Sequence, residues 1–154
     1  MRYIFISLCS LIIFLPSLSQ AVSNKGLICR DIDYPADLKK KGNYFLTKGF
    51  WFKDKKVYYS YVLKEELNIN IYKNRHVKSY EETLDTLSFE TFGSINEINR
   101  NSLTYRYTNW STGKWTSWGR CWIVNSESEI DNELKSIKIN AVSYLSEELK
   151  KKKF

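Results

Sequence analysis

The sequence predicts a mainly β fold: an antiparallel meander of seven or eight strands closing into a small barrel or sandwich, followed by one C-terminal amphipathic α-helix. Three observations support this fold class. Short segments of alternating apolar and polar residues recur over residues 26–124 at spacings near ten residues, mostly joined by polar turns. Beyond Val124 the apolar residues recur at helical spacing instead. Two cysteines, Cys29 and Cys121, lie near the first and last strand-like segments.

Residues 1–21 are typical of an export signal. A positive start at Arg2 is followed by an almost entirely apolar run, and Ala21 ends a group of residues of the kind that a signal peptidase recognises. The run is shorter than the roughly 20 residues that a membrane-spanning helix needs. We therefore expect cleavage after Ala21 and a periplasmic or secreted protein without a transmembrane anchor in the mature chain. The predicted divisions of that chain are a β domain at 22–125, a helix packed on it at 126–150 and a basic tail at 151–154.

The mature chain would keep two cysteines, Cys29 and Cys121. In an oxidising compartment an even count at opposite ends of a domain indicates one disulfide, with two buried free thiols or a redox pair as alternatives. Because the closed loop is long, such a bridge would stabilise the fold by about 4 kcal/mol.

The net charge of +7 does not indicate a nucleic-acid partner, because the excess is concentrated at the ends of the chain. Without Arg2 and Lys150–Lys153, 19 basic residues face 17 acidic ones. The basic tail is either solvated or in contact with an anionic surface such as a membrane.

Two hairpins are predicted in the first half of the β domain. In "GFWFKDKKVYYSYVL" a tight turn at Asp54-Lys55 sets Phe52 opposite Val57 and Phe50 opposite Tyr59. The alternating segment "LNINIY" follows. A three-residue turn at 64–66 would set Leu63 opposite Leu67 and Tyr61 opposite Ile69. The face shared by the three strands would then comprise Phe50, Phe52, Val57, Tyr59, Tyr61, Leu63, Leu67, Ile69 and Ile71.

Further short strands are expected around 77–80, 87–91 and 94–98, followed by the pair that contains most of the tryptophans. The segment "NWSTGKWTSWGRCW" holds four of the five tryptophans. With a turn centred on 111–112, it pairs Tyr105 with Trp118 and places Trp122 on the same face. This aromatic face either packs as core or lines a ligand cavity, and both can hold together in a small barrel. The predicted ligand-lining residues are Tyr59, Tyr105, Trp118 and Trp122, with Arg106 and Arg120 to hold an anionic group.

The last segment is predicted to be one helix of about 24 residues. Ser126 and Glu129 fit a capping box. The apolar stripe, which we expect to pack on the sheet rather than on a membrane, comprises Ile130, Leu134, Ile137, Ala141, Leu145 and Leu149.

The order of these elements is similar to that of lipocalin-like barrels: an export signal, seven or eight antiparallel strands and a C-terminal helix. Lipocalins carry a Gly-x-Trp motif near the first strand, where this chain has Gly26-Leu27-Ile28. The strand "NRNSLTYRY" also resembles a pattern in uncharacterised small secreted bacterial β-proteins. These resemblances imply an exported β-barrel and assign no functional residue.

The leading functional hypothesis is non-catalytic binding of a small apolar or aromatic-stacking ligand. An alternative is an envelope or surface interaction protein that uses exposed aromatic side chains and the basic tail. A hydrolase is third, with Glu90 and Asp85 as candidate acids. The single histidine, His76, and two mature cysteines do not form a metal-binding set, and no nucleophile motif, phosphate loop or dinucleotide fingerprint is present. We therefore expect no metal or cofactor.

Overall fold

The computed structural model describes residues 22–91, 93–108 and 111–151. The predicted export signal and the last three residues of the basic tail lie outside these ranges. Eight antiparallel strands form a closed barrel in which each strand pairs with the next and the last pairs with the first. The prediction of a mainly β fold with one C-terminal helix is confirmed, and the closure makes it a barrel. The strands and helix are β1 Lys25–Asp31, β2 Asn43–Lys53, β3 Lys56–Glu65, β4 Asn68–Glu82, β5 Thr86–Thr91, β6 Ser94–Asn99, β7 Thr104–Thr108, β8 Trp115–Val124 and α1 Glu127–Lys151, with a short 3-10 turn at Ala36–Lys39.

The apolar side chains form two separate clusters, one inside the barrel and one between its outer surface and the helix. The inner cluster consists of Leu27, Cys29, Phe50, Phe52, Val57, Tyr59, Leu87, Phe89, Ile98, Tyr105, Trp118 and Cys121. The outer cluster consists of Ile28, Leu38, Leu46, Trp51, Val62, Ile69, Val124, Ile130, Leu134, Ile137 and Ala141. The strands under the helix are therefore apolar on both faces, which simple alternation does not predict.

The first predicted hairpin is confirmed residue by residue. Phe52 pairs with Val57 and Phe50 pairs with Tyr59. Both turn residues adopt positive φ, 52° at Asp54 and 56° at Lys55. This is the geometry of a type I′ turn, whose twist matches that of the flanking strands.

The predicted register of the second hairpin is wrong. The turn contains two residues, Glu66 and Leu67, so that Tyr61 pairs with Tyr72 and Leu63 pairs with Asn70. Ile69 belongs to the outer cluster under the helix and Leu67 is exposed at the turn. The misassignment arises because both faces of these strands bury apolar residues, so hydrophobic matching does not select one register.

The segments predicted as separate strands at 67–71 and 77–80 form one continuous strand, β4. Its pairing with β3 shifts between Val57, opposite Lys78, and Tyr59, opposite Asn74. The extra residues in β4 form an irregularity of the bulge type, which bends a strand without ending it.

The hairpin of β7 and β8 follows the predicted register only near its turn. Arg106 pairs with Ser117 as expected, but the register then shifts, and Tyr105 pairs with Gly119 instead of Trp118. This bulge reverses the alternation along β8, so Trp118 belongs to the inner cluster and Trp122 packs with the outer one. A side chain at position 119 would run into the backbone of β1, so only glycine fits there.

A disulfide closes the barrel where its first and last strands meet. Cys29 in β1 and Cys121 in β8 are directly opposite each other, with their Cα atoms 3.9 Å apart. Both cysteines belong to the inner cluster. The predicted bridge is present.

The helix packs on the outer surface of β1–β4 and the end of β8. Its N-terminus is capped as predicted, since Ser126 Oγ accepts from the Glu129 amide and the Glu129 carboxylate accepts from Asn125 N–H. Ile130 lies over Gly49, where a Cβ atom would collide with it. No helix in the described part of the chain is both long and apolar enough to cross a membrane.

Candidate ligand-binding site at the mouth of the barrel

One end of the barrel carries a group of half-buried aromatic rings. This end, called the mouth here, is defined by Phe45, Tyr61, Tyr72 and Tyr107. Phe45, Tyr61 and Tyr107 pack against the inner cluster, and Tyr72 is on the same face because it pairs directly with Tyr61. The mouth therefore offers aromatic surface that is neither fully buried nor fully solvated.

A lysine side chain lies at the base of the mouth. Lys48 is only 6% exposed and is in phase with Phe50 and Phe52 along β2. Its Nζ lies 4.6–4.9 Å from the centroids of four rings: Phe45, Tyr105, Tyr107 and Trp118. At this distance the faces of aromatic rings attract a cation.

Hydrogen bonds connect this amine to the far wall of the barrel. Lys48 Nζ donates to Tyr105 Oη at 2.9 Å, and Tyr105 Oη donates to Asn96 Oδ1 at 2.5 Å. The Asn96 amide donates in turn to Thr91 Oγ1 and to the Phe89 carbonyl. Because each of these groups is buried, every hydrogen bond in this series compensates for hydrogen bonds to water that the group loses on folding.

Burial strongly favours the neutral form of the Lys48 amine. Desolvation lowers the pKa of Lys48 to about 7, against a smaller opposing effect of the Asp31 carboxylate. The surrounding rings also favour the charged form. Near neutral pH the amine is therefore close to its titration point, which makes its charge sensitive to any group that binds beside it.

A column of stacked rings leads from the mouth into the core. Neighbouring centroids are 5.1 Å apart for Tyr72 and Tyr61, 5.1 Å for Tyr61 and Tyr59, and 5.2 Å for Tyr59 and Phe50. Burial raises the pKa of Tyr59 and also that of Tyr105, so both phenols stay protonated. The inner end of the column is filled by protein side chains, and its outer end at Tyr72 forms part of the mouth.

A carboxylate marks the rim beside this column. Glu65 accepts hydrogen bonds from Tyr72 Oη and Asn70 Nδ2, each at 2.7 Å. These two bonds lower the pKa of Glu65 and fix it as an anion. The rim of the mouth therefore carries the Glu65 carboxylate, which is fixed by two hydrogen bonds, and the base of the mouth carries the Lys48 amine.

The structure brings together three of the six predicted ligand-lining residues. Tyr59, Tyr105 and Trp118 are buried in the inner cluster, where the rings of Tyr105 and Trp118 meet edge to face at 5.3 Å. Trp122 lies on the outer surface under the guanidinium of Arg30, 5.2 Å away. The bulge in β8 accounts for this separation.

The two predicted anion-binding arginines lie outside the interior. Arg106 pairs with Glu97 and covers the ring of Trp115 on the outer surface, with its Cζ 4.4 Å from the ring centroid. Arg120 is exposed and opposite Arg30 in the ladder. Among the described residues, the amine that lies among the rings inside the barrel is that of Lys48, which was not among the residues predicted from the sequence. Its alternation with Phe50 and Phe52 was the available signal.

The candidate hydrolytic acids do not share a cleft. Asp85 precedes β5 and accepts a hydrogen bond from Asn101, whereas Glu90 lies near the other end of that strand. Five residues of extended chain separate them by roughly 16 Å. Within the described ranges, no group of three or more His, Cys, Asp or Glu residues could hold a metal ion.

Comparisons with protein-family models, with curated proteins and with solved structures find no match for this chain. Function is therefore inferred from the geometry of the barrel itself.

Proposed function

We propose that this protein is a non-catalytic binding protein that holds a small planar aromatic ligand with one anionic group at the mouth of the barrel. The observation that carries the proposal is the amine of Lys48, buried at the base of the mouth among aromatic rings. Ligand sites are commonly apolar and aromatic surfaces with a few convergent polar groups.

The anionic group follows from the energetics of the buried amine. A buried ammonium costs free energy unless it is paired, and its hydrogen bond in the described structure goes to a neutral phenol, that of Tyr105. The Asp31 carboxylate compensates only part of this cost, because desolvation remains the larger effect on Lys48, and a ligand carboxylate beside Nζ would add a second counter-charge. It would also raise the pKa of Lys48 and keep the amine protonated.

The aromatic body of the ligand follows from the rings at the mouth. Tyr72 ends the stacked column, and Phe45 and Tyr107 are half-buried around the same opening. Offset stacking of a further ring on such surfaces contributes about 0.5–1.5 kcal/mol beyond the area that it buries. The deeper interior is occupied by Phe50, Tyr59 and Tyr105, so the ligand would sit at the mouth and not at the centre.

The site of action that we propose is the periplasm or the outside of the cell. The disulfide between Cys29 and Cys121 supports it, because such bridges persist in oxidising compartments. The export signal expected at residues 1–21 is consistent with the same location.

Calorimetric titration with 2-naphthoate, a planar aromatic carboxylate, tests the proposal. We expect binding at pH 6.5 and a loss of about 10- to 100-fold in Lys48→Met, because charged hydrogen bonds contribute about 1.5–3 kcal/mol. Lys135→Met, at an exposed lysine of the helix, is the matched control and should bind like the wild type.

The neutral analogue 2-naphthylmethanol separates charge recognition from stacking, and we expect it to bind at least tenfold more weakly than the acid. Equal affinities for the acid and the alcohol, or an unchanged affinity in a folded Lys48→Met protein, would refute the assignment of Lys48.

A further inference from the structure

A cavity lies on the outside of the barrel, at the same end as the mouth. Its volume is about 730 Å³ and it is formed where the loop after the 3-10 turn, the β3–β4 turn and the last turns of the helix meet. We call it the lateral groove. Its lining residues are Leu38, Lys39, Lys40, Lys41, Gly42, Asn43, Lys64, Glu66, Leu67, Tyr144, Leu145, Glu148 and Leu149.

The apolar part of the lateral groove is partly exposed to water. Leu38 is buried on its floor, whereas Leu67 is 66% exposed and Leu149 is 46% exposed. Tyr144 and Leu145 are half-buried between them. Exposed leucines that share one concave surface are unfavourable in water and are typical of a surface that is covered by a partner.

The polar part of the groove is basic. Four lysines and two glutamates line it. Lys39 is 3.8 Å from Glu148 and Lys40 Nζ is 3.2 Å from Asp33. Lys64 Nζ donates to the carbonyl oxygens of Lys40 and Gly42. The loop at residues 39–41 therefore forms a lysine-rich edge of the groove, and positive charges outnumber negative ones in the lining as a whole.

We infer that the lateral groove binds one molecule of a single-chain anionic amphiphile, an alkyl carboxylate of the fatty-acid type. The alkyl chain would cover Leu67, Leu145 and Leu149, and the carboxylate would lie at the lysine edge formed by residues 39–41. Charge complementarity selects an anion, the leucines select an alkyl chain, and the volume is within the range of about 300–1,000 Å³ that is usual for one small ligand.

Calorimetric titration with sodium dodecanoate below its micellar concentration tests the inference. We expect saturable binding of one molecule at this groove, with affinity rising about fourfold for each methylene from octanoate to dodecanoate. Dodecyltrimethylammonium, which carries the same chain with a cation, should bind at least tenfold more weakly.

Two pairs of variants locate the ligand. Leu67→Asp should weaken dodecanoate binding at least tenfold, whereas Ile139→Asp, at a helix position that is 68% exposed and outside the groove, should not. The double variant Lys40→Gln/Lys41→Gln should weaken binding, whereas Lys135→Gln should leave it unchanged. All five substituted residues are exposed, so we expect the fold to tolerate these changes.

Binding at the lateral groove and binding at the mouth are distinguishable. Lys48→Met should leave dodecanoate binding at the groove intact, and Leu67→Asp should leave 2-naphthoate binding intact. Equal losses in Leu67→Asp and Ile139→Asp would overturn the inference. Binding to vesicles of phosphatidylglycerol without any binding of monomeric dodecanoate would also overturn it, and would identify a membrane surface as the occupant.

Discussion

Lys48 Nζ donates a hydrogen bond to Tyr105 Oη, 2.9 Å away, across the interior of a closed barrel. The two residues are on strands that are not neighbours, β2 and β7. The bond therefore connects two separated parts of the barrel wall through an interior that is filled by side chains, and it places a titratable group there.

Replacing Lys48 by methionine should stabilise the protein at acidic and neutral pH. The pKa of Lys48 is about 7 in the folded state and 10.5 for an ordinary lysine. Between these values the unfolded chain binds a proton that the folded chain does not, so the wild-type free energy of unfolding should rise with pH, by at most about 1.4 kcal/mol per pH unit. Below pH 7 both states are protonated and the cost of burying the charge is greatest.

Urea unfolding of both proteins at pH 6, 8 and 10 measures this effect. The curve of Lys48→Met should lack the rise, and the variant should exceed the wild type by a few kcal/mol at pH 6. Parallel pH dependences in the two proteins would show that the rings stabilise the ammonium enough to restore an ordinary pKa.

Tyr105→Phe should destabilise the fold by about 2–3 kcal/mol. The substitution removes one hydroxyl and leaves both Lys48 Nζ and Asn96 Oδ1 without that partner in a buried environment. Chemical denaturation measures the loss. Tyr58→Phe, at a tyrosine that is 38% exposed, is the control and should change stability by less than about 0.5 kcal/mol.

The double variant Cys29→Ala/Cys121→Ala should lose about 4–5 kcal/mol of stability. The bridge spans a sequence separation of 92 residues, and the chain-entropy model gives this magnitude for so long a loop. The midpoint of urea unfolding should fall in the variant, and dithiothreitol should lower that of the wild type only. An unchanged wild-type midpoint in the fully reduced protein would contradict this expectation.

Leu134→Ala should cost about 2–5 kcal/mol, because Leu134 is fully buried between the helix and the outer surface of the barrel. Ile139→Ala, on the exposed side of the same helix, should cost less than about 0.5 kcal/mol. Thermal unfolding followed by circular dichroism measures both. Similar losses in the two variants would mean that the helix contributes through its propensity and not through packing.

The sequence predicted the parts of the fold that depend on local pattern. The Asp54-Lys55 turn and its register were correct because matched apolar pairs flank a two-residue turn on both sides. The prediction of the Ser126–Glu129 cap was also correct, because the residues that form this cap lie within four positions of the sequence. The disulfide was predicted from the position of two cysteines in the chain.

The errors arose where two distant elements decide the outcome. Because the helix covers the outer surface of β3 and β4, these strands carry apolar residues on both faces. The alternation of apolar and polar residues therefore did not show that Ile69 faces outward. The bulge at Gly119 moved Trp122 to the outer surface, and a glycine between Trp118 and Arg120 was its only local signal. The candidate site was found only in part, because its aromatic residues were expected and its cation, Lys48, was not.

The disulfide joins β1 to β8 covalently, so the barrel cannot open by separation of its first and last strands. Local opening of the barrel would have to separate another pair of strands. The helix packs on β1–β4 and opposes opening there. The described pairing between β4 and β5 spans only Tyr80–Glu82, and that between β6 and β7 only Asn96–Ile98. We therefore expect the part of the barrel made of β5–β7 to open before the rest, and this part carries Asn96 and Tyr105, the groups that anchor the buried amine.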